Sequence, residues 1–349
     1  SRGAPQQGAG FAVAAVEAVY PDGSARVYDL TVEEDESYAA RGVFSHNCSN
    51  PNLQTIPSRS LEWAKRVKNV FVAPPGRKLV FIDYATLELR VMAMLSGEQT
   101  MIDAFDAGLD LHRQTAIDIS HLLWGNDFES CGLGYDEVVL KADGAAPDDP
   151  RWEQLRQLQA YRRKIAKAVN FGTAYGQGPA AMAEQWGIPE ADAAKAQEAI
   201  MGRRRKLRAW IKRTQQECRQ RGFTETWWNG QPARRRPLPD IASNIRDMAS
   251  HAERAASNTP VQGTGSEFCM ASIGEIAQWI EDDGIDAQLV LTVHDSIGAE
   301  VDDEDVPEYV HHATRIMTGW YSMGVPITVD VEVGQRWGEM QAYTPGAQG

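Results

Sequence analysis

The sequence predicts an α+β fold, with helices concentrated in the middle of the chain and strands towards both ends. Two apolar runs, KLVFIDY at 78–84 and AQLVLTV at 287–293, have the composition of buried strands. Residues 151 to about 220 predict helices instead, and residues 11–47 are rich in strand-forming side chains. Strands and helices that are segregated along the chain are typical of this class.

The elements of the N-terminal half follow from local patterns. FAVAAVEAVY and ARVYDLTVE predict an all-β segment around the turn PDGS, and LEWAKRVKNVFV and GRKLVFIDY predict strands on either side of PPG. LELRVMAMLSG predicts a helix that ends at Gly97, and DLHRQTAIDI begins another. Residues 121–150 contain Gly, Asp and Pro with little periodicity, so we expect a surface insertion.

The C-terminal half is predicted in the same way. WWNGQPARRRPLPD predicts a loop, and the stretch from Ile245 to Ile280 predicts a helix that breaks near Pro260. AQLVLTVHDSIGAEV predicts a strand, a tight turn and a second strand.

Charge is distributed unevenly along a chain whose net formal charge is −13. Residues 151–213 carry 14 Lys/Arg against 5 Asp/Glu, and Arg234, Arg235 and Arg236 form a second basic cluster. An acidic body with basic stripes indicates a protein that grips a phosphate backbone in one cleft, although solvated helix faces produce the same pattern.

Hydrophobic runs, cysteine spacing and the first residues indicate where in the cell the protein acts. No run approaches 18 apolar residues, so we expect no membrane contact. The four cysteines fit neither a zinc spacing nor a disulfide framework, which favours a reducing, cytoplasmic location. The chain begins at Ser1 without a signal peptide, and we expect a fragment or a processed product.

Two aspartates stand where predicted strands end. Asp83 closes KLVFIDY, and Asp295 lies at the tip of the predicted hairpin. A strand-ending aspartate before a helix is commonly an N-cap, and a helix is predicted from Leu87. Two carboxylates on neighbouring strand ends can instead hold two Mg²⁺ ions, as phosphoryl transfer to a growing nucleic acid requires.

A cationic helix segment, RRKIAKAVNFGTAYG, lies between these aspartates in the sequence. Arg163, Lys167, Phe171 and Tyr175 are four residues apart, so they form one ridge, cationic at its N-terminal end and aromatic at its C-terminal end. A nucleoside triphosphate has the same polarity, with phosphates at one end and a base at the other. An ordinary amphipathic helix has such a pattern too.

Six motifs in order resemble family A DNA polymerases over residues 48 to about 341. FIDYATLELR resembles motif A, RRKIAKAVNFGTAYG motif B and LTVHDS motif C. NPNLQTIPSR, DLHRQTA and AERAASNTPVQGT resemble further conserved blocks of the family. The resemblance is to the bacterial DNA polymerase I type, and the compact layout favours a phage source.

The resemblance implies an antiparallel-sheet palm and a mostly helical fingers domain. The palm would comprise residues 48–110 and 246–349, and the fingers residues 111–245, with the motif B helix at about 160–178. It also implies a nucleotidyltransferase for DNA replication, which adds dNMP from a dNTP to the primer 3′ end of primer-template DNA.

The resemblance assigns roles residue by residue. Asp83 and Asp295, with the carbonyl of Tyr84, would bind two Mg²⁺ ions, and Lys167 would be the general acid for departing pyrophosphate. Glu88 would exclude a 2′-hydroxyl and so select dNTP. The expected nucleotide-binding residues are Arg163, Lys167, Phe171, Tyr175, His112 and Glu88. The expected DNA-binding residues are Arg59, Arg254, Asn258, Gln262, His294, Arg234, Arg235 and Arg236.

Ser296 departs from the family pattern because a glutamate usually follows the motif C aspartate. Phage-type single-subunit RNA polymerases also have His-Asp-Ser at this place, so such an enzyme is an alternative. Glu88 and the NFG sequence favour DNA synthesis.

Residues 1–47 resemble the C-terminal segment of an intein. VYDLTVEEDESYAARGVFSHNC ends in His46, Asn47 and Cys48. The Asn47 side-chain amide can attack its own carbonyl and cut the chain, His46 can assist, and Cys48 can accept the upstream segment as a thiol nucleophile. The N-terminal half of an intein is not recognisable in these residues. We therefore expect either a partner that supplies it together with the rest of the polymerase, or a longer chain of which this sequence is a piece. A further alternative is a splicing-competent half that is inactive until this ligation.

Overall fold

The computed structural model describes residues 11–20, 23–32, 35–40, 43–45, 68–120, 152–174 and 176–343. The four ranges between residues 11 and 45, together with residues 152–156 and 174, are described by their backbone only. Two compact units are present. The sheet unit comprises residues 1–85, 268–320 and 327–349, and the helical unit comprises residues 86–267 and 321–326. The predicted domain boundaries at residues 48, 111 and 246 stay predictions.

A nine-stranded sheet forms the sheet unit. Its strands are β1 (Phe11–Tyr20), β2 (Gly23–Val32), β3 (Asp35–Ala40), β4 (Val43–Ser45), β5 (Arg77–Tyr84), β8 (Ala287–Val293), β9 (Ser296–Asp302), β10 (Val329–Gly334) and β11 (Gln341–Ala342). Their order is β1-β2-β3-β4-β8-β9-β5-β10-β11, and every pairing is antiparallel except β4 with β8. The mixed α+β class with an antiparallel sheet is confirmed, whereas the identity of residues 1–47 stays a prediction.

The predicted strand at 61–72 is wrong in its described part. Residues 68–70 are helical or turn, and Val72 forms only an isolated bridge to Arg336. The Phe71 ring instead packs edge-on against Trp337, with ring centroids 5.3 Å apart. Apolar residues before the Pro-Pro pair therefore cover the end of the sheet rather than extend it.

Within its described residues the helical unit contains seven whole α-helices, a hairpin and the first part of an eighth α-helix. The helices are α1 (Leu87–Ser96), α2 (Gln99–Asp106), α3 (Leu111–Ile119), α4 (Trp152–Ala174), α5 (Pro179–Trp186), α6 (Glu190–Arg203) and α7 (Arg205–Arg221). The predicted end of α1 is confirmed, since Gly97 has φ 63° and its N–H donates to the Ala93 carbonyl. Buried side chains of α3 to α6, including Ile165, Val169 and Met182, form one hydrophobic cluster.

The predicted loop at 227–240 is wrong, because it contains a β-hairpin. Strands β6 (Phe223–Trp228) and β7 (Gln231–Pro237) pair antiparallel. Asn229 and Gly230 form the connecting turn with φ 50° and 77°. Positive φ at both residues is what a two-residue hairpin turn requires, and Asn-Gly is the favoured pair for it.

Helix α8 (Arg246–Asp283) runs from the helical unit into the sheet unit. The predicted break near Pro260 is wrong, since α8 continues through that residue. Helix α9 (Val306–Thr318) completes the described helices. Among the described residues, none of the helices is both long and apolar enough to cross a lipid bilayer.

The predicted motif B helix differs at both ends from its expected range of 160–178. Helix α4 begins at Trp152 and ends at Ala174. Gly176 has φ 62°, its N–H donates to the Thr173 carbonyl, and the N–H of Gln177 donates to the Gly172 carbonyl. These bonds cap the last turn and end the helix before residue 178.

Candidate functional site

Two aspartates meet at one edge of the sheet. Asp83 lies opposite Ser296 on β9 and opposite Asp330 on β10. Asp295 lies in the two-residue turn between β8 and β9. The N–H of Tyr84 donates to the Asp295 carbonyl at 3.2 Å, which ties the end of β5 to this turn. We call Asp83 and Asp295 the carboxylate pair.

The two carboxylates lie close together, since Asp295, next after burial, raises the pKa of Asp83 both by its charge and as a hydrogen-bond partner. The protein atoms packed around Asp83, followed by the charges of Asp295 and Asp330, raise its pKa to about 7, although its side chain is partly open to solvent. Like charges this close need a shared proton or a cation between them. The N-cap alternative does not apply, since Thr86 is the N-cap of α1.

The donor set of this pair fits Mg²⁺. Magnesium is usually bound through one or two protein carboxylates, and substrate phosphates and waters complete its coordination. Across residues 68–120, 157–173 and 176–343, no group of three or more His, Cys, Asp or Glu side chains could hold a metal together. The pair therefore offers a two-carboxylate site rather than a closed protein cage.

Two sets of hydrogen bonds, which we call the two tethers, hold this edge of the sheet in place. The Cys269 thiol on α8 donates to the carbonyl of His294, whose φ of 57° makes the turn tight. Burial, and then the charge of the carboxylate pair, raises the pKa of this thiol, so it stays protonated. The Tyr84 hydroxyl hydrogen-bonds Ser272 at 2.8 Å and donates to the Met317 carbonyl at 3.0 Å.

A cationic patch lies in the helical unit, where α3 and α4 pack together. Arg163 forms an ion pair with Asp110, 2.5 Å between Nη2 and Oδ2. Asp110 is also the N-cap of α3, because its carboxylate accepts from the N–H groups of His112 and Arg113. The buried His112 ring lies 5.0 Å from the Phe171 ring. The structure thus brings the predicted phosphate-binding and base-stacking side chains together.

The His112 ring is neutral at neutral pH. Burial lowers its pKa to about 4, and nearby Lys167, Arg163 and Arg204 act in the same direction. The Asp110 carboxylate opposes this shift without cancelling it. A neutral imidazole has one N–H and one acceptor nitrogen, so its hydrogen-bond partners decide which nitrogen can donate.

Helix α8 carries three of the predicted DNA-binding residues on one face. Arg254, Asn258 and Gln262 are four residues apart, and Gln262 is exposed. Arg254 donates to Ser250 at 2.8 Å, and Gly176 lies against its Cα and Cβ atoms. Gly176 has φ 62°, which residues with a side chain rarely adopt, and a Cβ there would lie about 3.2 Å from Arg254 Cγ, so both features favour glycine.

The three consecutive arginines of β7 do not share one surface. Successive side chains of a strand point to opposite faces. Arg234 pairs with Glu267 and Arg236 donates to Thr259, both on α8, whereas Arg235 pairs with Glu225 on the neighbouring strand. The three side chains therefore do not form a continuous basic row on one face of the hairpin.

Comparisons with known proteins place these features in a family. The family model described as DNA polymerase family A matches residues 32–125 and 151–339, most of the chain. The chain belongs to DNA polymerase family A.

Members of this family from several bacteria are similar to the chain. DNA polymerase I of Pseudomonas aeruginosa is 32% identical over 304 residues, which cover 87% of this chain and 29% of that protein. The thermostable DNA polymerase I of Thermus filiformis is 34% identical over 289 residues, 83% of this chain and 30% of that protein. The chain therefore spans less than a third of the length of these curated relatives.

A solved structure of the family has the same fold. The POL domain of Pol1 from M. smegmatis, in a complex with DNA primer-template and dNTP, matches with a TM-score of 0.68 and 29% identity. The match covers 92% of this chain and 49% of that chain.

Some of the predicted site residues lie outside the described residues or at the margin of the site. Glu88 lies in the first turn of α1 and is half-buried. His294 is exposed at the turn beside Asp295. The residues whose placement falls outside the described ranges are Arg59, Tyr175, His46, Asn47 and Cys48.

Sequence reasoning missed several residues that shape this family A site. Asp110 could have been found, because an aspartate directly before a predicted helix is a favoured N-cap. Asn170 lies within the NFG sequence, yet nothing local indicates that it contacts His112. Trp186 stacks on Phe171 with ring centroids 6.2 Å apart, and Arg204 donates to Asn170. Both contacts arise from tertiary packing, and no spacing rule identifies them.

Proposed function

We propose that this chain is the catalytic portion of a template-directed DNA polymerase, a nucleotidyltransferase that adds dNMP to a primer 3′ end. The observation that carries the proposal is the proximity of Asp83 and Asp295 at adjoining strand ends. Membership of family A supports it.

The carboxylate pair would hold two Mg²⁺ ions, with the carbonyl of Tyr84 as a further ligand. When bound, the ions would lower the pKa of the primer 3′-hydroxyl and neutralise charge on the β- and γ-phosphates. The residues of the chain itself would place the carboxylate oxygens that bind these ions. The two tethers fix the turn and the strand end, so the carboxylate oxygens are pre-positioned before any ion binds.

The cationic patch would hold the nucleotide. Arg163 and Lys167 would bind the triphosphate, and Lys167 would deliver a proton to the departing pyrophosphate. Neutral His112 would donate one further hydrogen bond to a phosphate oxygen. Phe171 would stack on the incoming base, and Tyr175 would close the template side.

Further family roles follow in the same way. Glu88 would lie under the sugar and exclude a 2′-hydroxyl. Arg254, Asn258, Gln262, His294 and Arg59 would contact primer and template, and the arginines of β7 would contact the backbone. The relatives reported above are DNA polymerases, so Ser296 does not favour the RNA polymerase alternative.

The test compares Asp83→Asn and Asp295→Asn with Asp303→Asn in the full chain. Asp303 is an exposed carboxylate beyond the opposite end of β9, where it pairs with Lys78. Primer extension should fall at least about a thousandfold in the first two variants and stay at the wild-type rate in the third. Calorimetric titration with Mg²⁺ should show weakened binding in the first two variants and wild-type binding in the third.

Extension by either variant at more than about a tenth of the wild-type rate would overturn the metal assignment. A wild-type chain that binds Mg²⁺ but extends no primer would support the alternative of a half that works only after ligation to its partner.

We also propose that residues 1–47 are an intein segment that protein splicing removes. His46, Asn47 and Cys48 carry this proposal by their chemistry alone. Asn47→Ala should block release of the 47-residue segment when an N-terminal intein half is supplied in trans, as measured by mass spectrometry. Normal release from that variant would contradict it.

A further inference from the structure

A buried hydrogen-bond network joins α3, α4 and the start of α7 behind His112. Its members are Arg204, Asn170, Thr115 and His112, all at most 5% exposed. The network lies outside every role assigned above except that of His112. Its hydrogen-bond directions can be derived one by one, because a guanidinium only donates.

Arg204 fixes the orientation of the Asn170 amide. Its Nη1 donates to Asn170 Oδ1 at 2.7 Å, so the oxygen of the amide faces the guanidinium. The amide nitrogen must therefore face the other way, where Nδ2 lies 3.1 Å from His112 Nδ1. An amide nitrogen also only donates, so His112 Nδ1 accepts, and the ring proton is on Nε2.

Thr115 completes the network and excludes the flipped orientation of the Asn170 amide. Its hydroxyl donates to the Leu111 carbonyl at 2.7 Å and accepts from Arg204 Nη2 at 2.7 Å and from Asn170 Nδ2 at 3.1 Å. The hydroxyl also lies 3.2 Å from Asn170 Oδ1, but its single proton goes to the nearer carbonyl. Both amide protons are thus committed, one to Thr115 and one to His112.

The electrostatic surroundings agree with these directions. Burial lowers the pKa of Arg204 to about 10, so the guanidinium stays charged at neutral pH, supported by the carboxylates of Asp118 and Glu98. The groups that act on the ring of His112 are Asp110 from its own helix, Arg163 and Lys167 from α4, and Arg204. Three of these four are cations, which disfavour a second proton on the ring.

We propose that Arg204 is a positioning residue, which acts through Asn170 and Thr115 to hold His112 as the Nε2–H tautomer. In this tautomer the remaining ring donor is Nε2, the nitrogen that the network does not use, and it would serve a phosphate oxygen of the bound nucleotide. This role rests on the proposed polymerase function, but the tautomer itself does not depend on it.

The first part of the test measures the tautomer of His112 directly and needs no nucleotide. Long-range ¹⁵N–¹H NMR of the full chain, with His112→Gln to assign the resonances, distinguishes a protonated from an unprotonated ring nitrogen. Wild-type His112 should have an unprotonated Nδ1 and a protonated Nε2 at pH 7. Arg204→Met should give an average of two tautomers, whereas Arg203→Met should keep the wild-type pattern. Arg203 is the neighbouring arginine, and it pairs with Asp118 on the surface.

A second variant guards against a fold defect in Arg204→Met. Asn170→Asp keeps the size of the side chain and its acceptor for Arg204, but it removes the donor to His112. It should place a proton on His112 Nδ1 while the thermal unfolding midpoint stays near that of the wild type. A protonated Nδ1 in the wild type, or an unprotonated Nδ1 in Asn170→Asp, would overturn the proposal.

The second part of the test measures KM for dNTP in primer extension. Arg204→Met should raise KM about tenfold more than Arg203→Met does, because an oriented hydrogen bond to a phosphate is lost. An unchanged KM together with a changed tautomer would overturn the role in nucleotide binding. Lack of extension by the wild type would count against the proposed function alone, since the NMR part would still decide the tautomer.

Discussion

His112 is a buried histidine whose folded environment disfavours the protonated ring. Its pKa of about 4 in the folded chain compares with about 6.5 for an unfolded histidine. Between these values the unfolded chain binds more protons than the folded chain, so acid favours unfolding. The contribution is fully present above pH 6.5 and is lost as the pH falls to 4, up to about 3 kcal/mol.

We predict that His112→Gln weakens this loss of stability. The urea midpoint of the wild type should fall between pH 7.5 and pH 4.5 by more than that of His112→Gln. His251→Gln, which alters an exposed histidine on α8, should behave like the wild type. Carboxylates also titrate in this range, but they are common to all three proteins and cancel in the comparison. Equal shifts in wild type and His112→Gln would contradict the prediction.

At the scale of single residues, the sequence predicted those site residues that their own strand or helix marks by position or spacing. Asp83 and Asp295 end apolar strands, and Arg163, Lys167 and Phe171 share a helical spacing, so each stands out on its own element. Arg204 has no such signal, because what distinguishes it is burial against a helix 34 residues away in the chain. Its role requires the packing of α3 and α4 against the start of α7, which no single-element pattern contains.

At the scale of elements, α8 illustrates how tertiary contacts keep a helix intact. Pro260 has no N–H, so the carbonyl of Ala256, four residues earlier, loses its usual partner. The Thr224 hydroxyl of β6 donates to that carbonyl at 2.9 Å. The hairpin can reach it because Gly263 has no side chain, where a Cβ would meet Thr226 Cγ2 at 2.3 Å.

We predict that Thr224→Val destabilises the chain by about 1–3 kcal/mol, because it leaves the buried Ala256 carbonyl without a donor. In a Pro260→Ala background the new N–H at residue 260 can donate to this carbonyl, so the same change should cost about 1 kcal/mol less. A double-mutant cycle by urea unfolding measures the coupling. Equal costs in both backgrounds would show that Thr224 acts independently of the proline.

The errors in predicted elements have related causes. Pro260 led to a predicted helix break. This prediction failed because the donor that replaces the missing N–H of Pro260 is Thr224, on a strand 36 residues away in the chain. The Asn229–Gly230 pair is a local hairpin signal that the loop prediction for residues 227–240 did not use. Only pairing with β6, and ion pairs such as Arg234 with Glu267, make this exposed stretch a strand.

At the scale of the whole molecule, positive charge is concentrated on α7 although the chain carries a net −13. This helix has seven Lys/Arg residues and one acidic residue. Arg219 and Arg221 pair with Glu253 and Glu225. Within the described residues, Arg205, Lys206, Arg208 and Lys212 are exposed and form no ion pair. A row of unpaired cations on an acidic protein fits a polyanion such as a DNA strand.

We predict that replacing Arg205, Arg208 and Lys212 with Gln weakens binding of single-stranded DNA and lowers its salt dependence. Each phosphate contact on a single strand contributes about 0.7 to the slope of log K against log[salt], so the slope should fall by about 2. A control with Lys68, Lys195 and Arg315 replaced by Gln has the same net charge. Fluorescence anisotropy at several salt concentrations should show an unchanged slope for this control. Equal slopes for both triple variants would mean that net charge, and not a phosphate track along α7, determines the affinity.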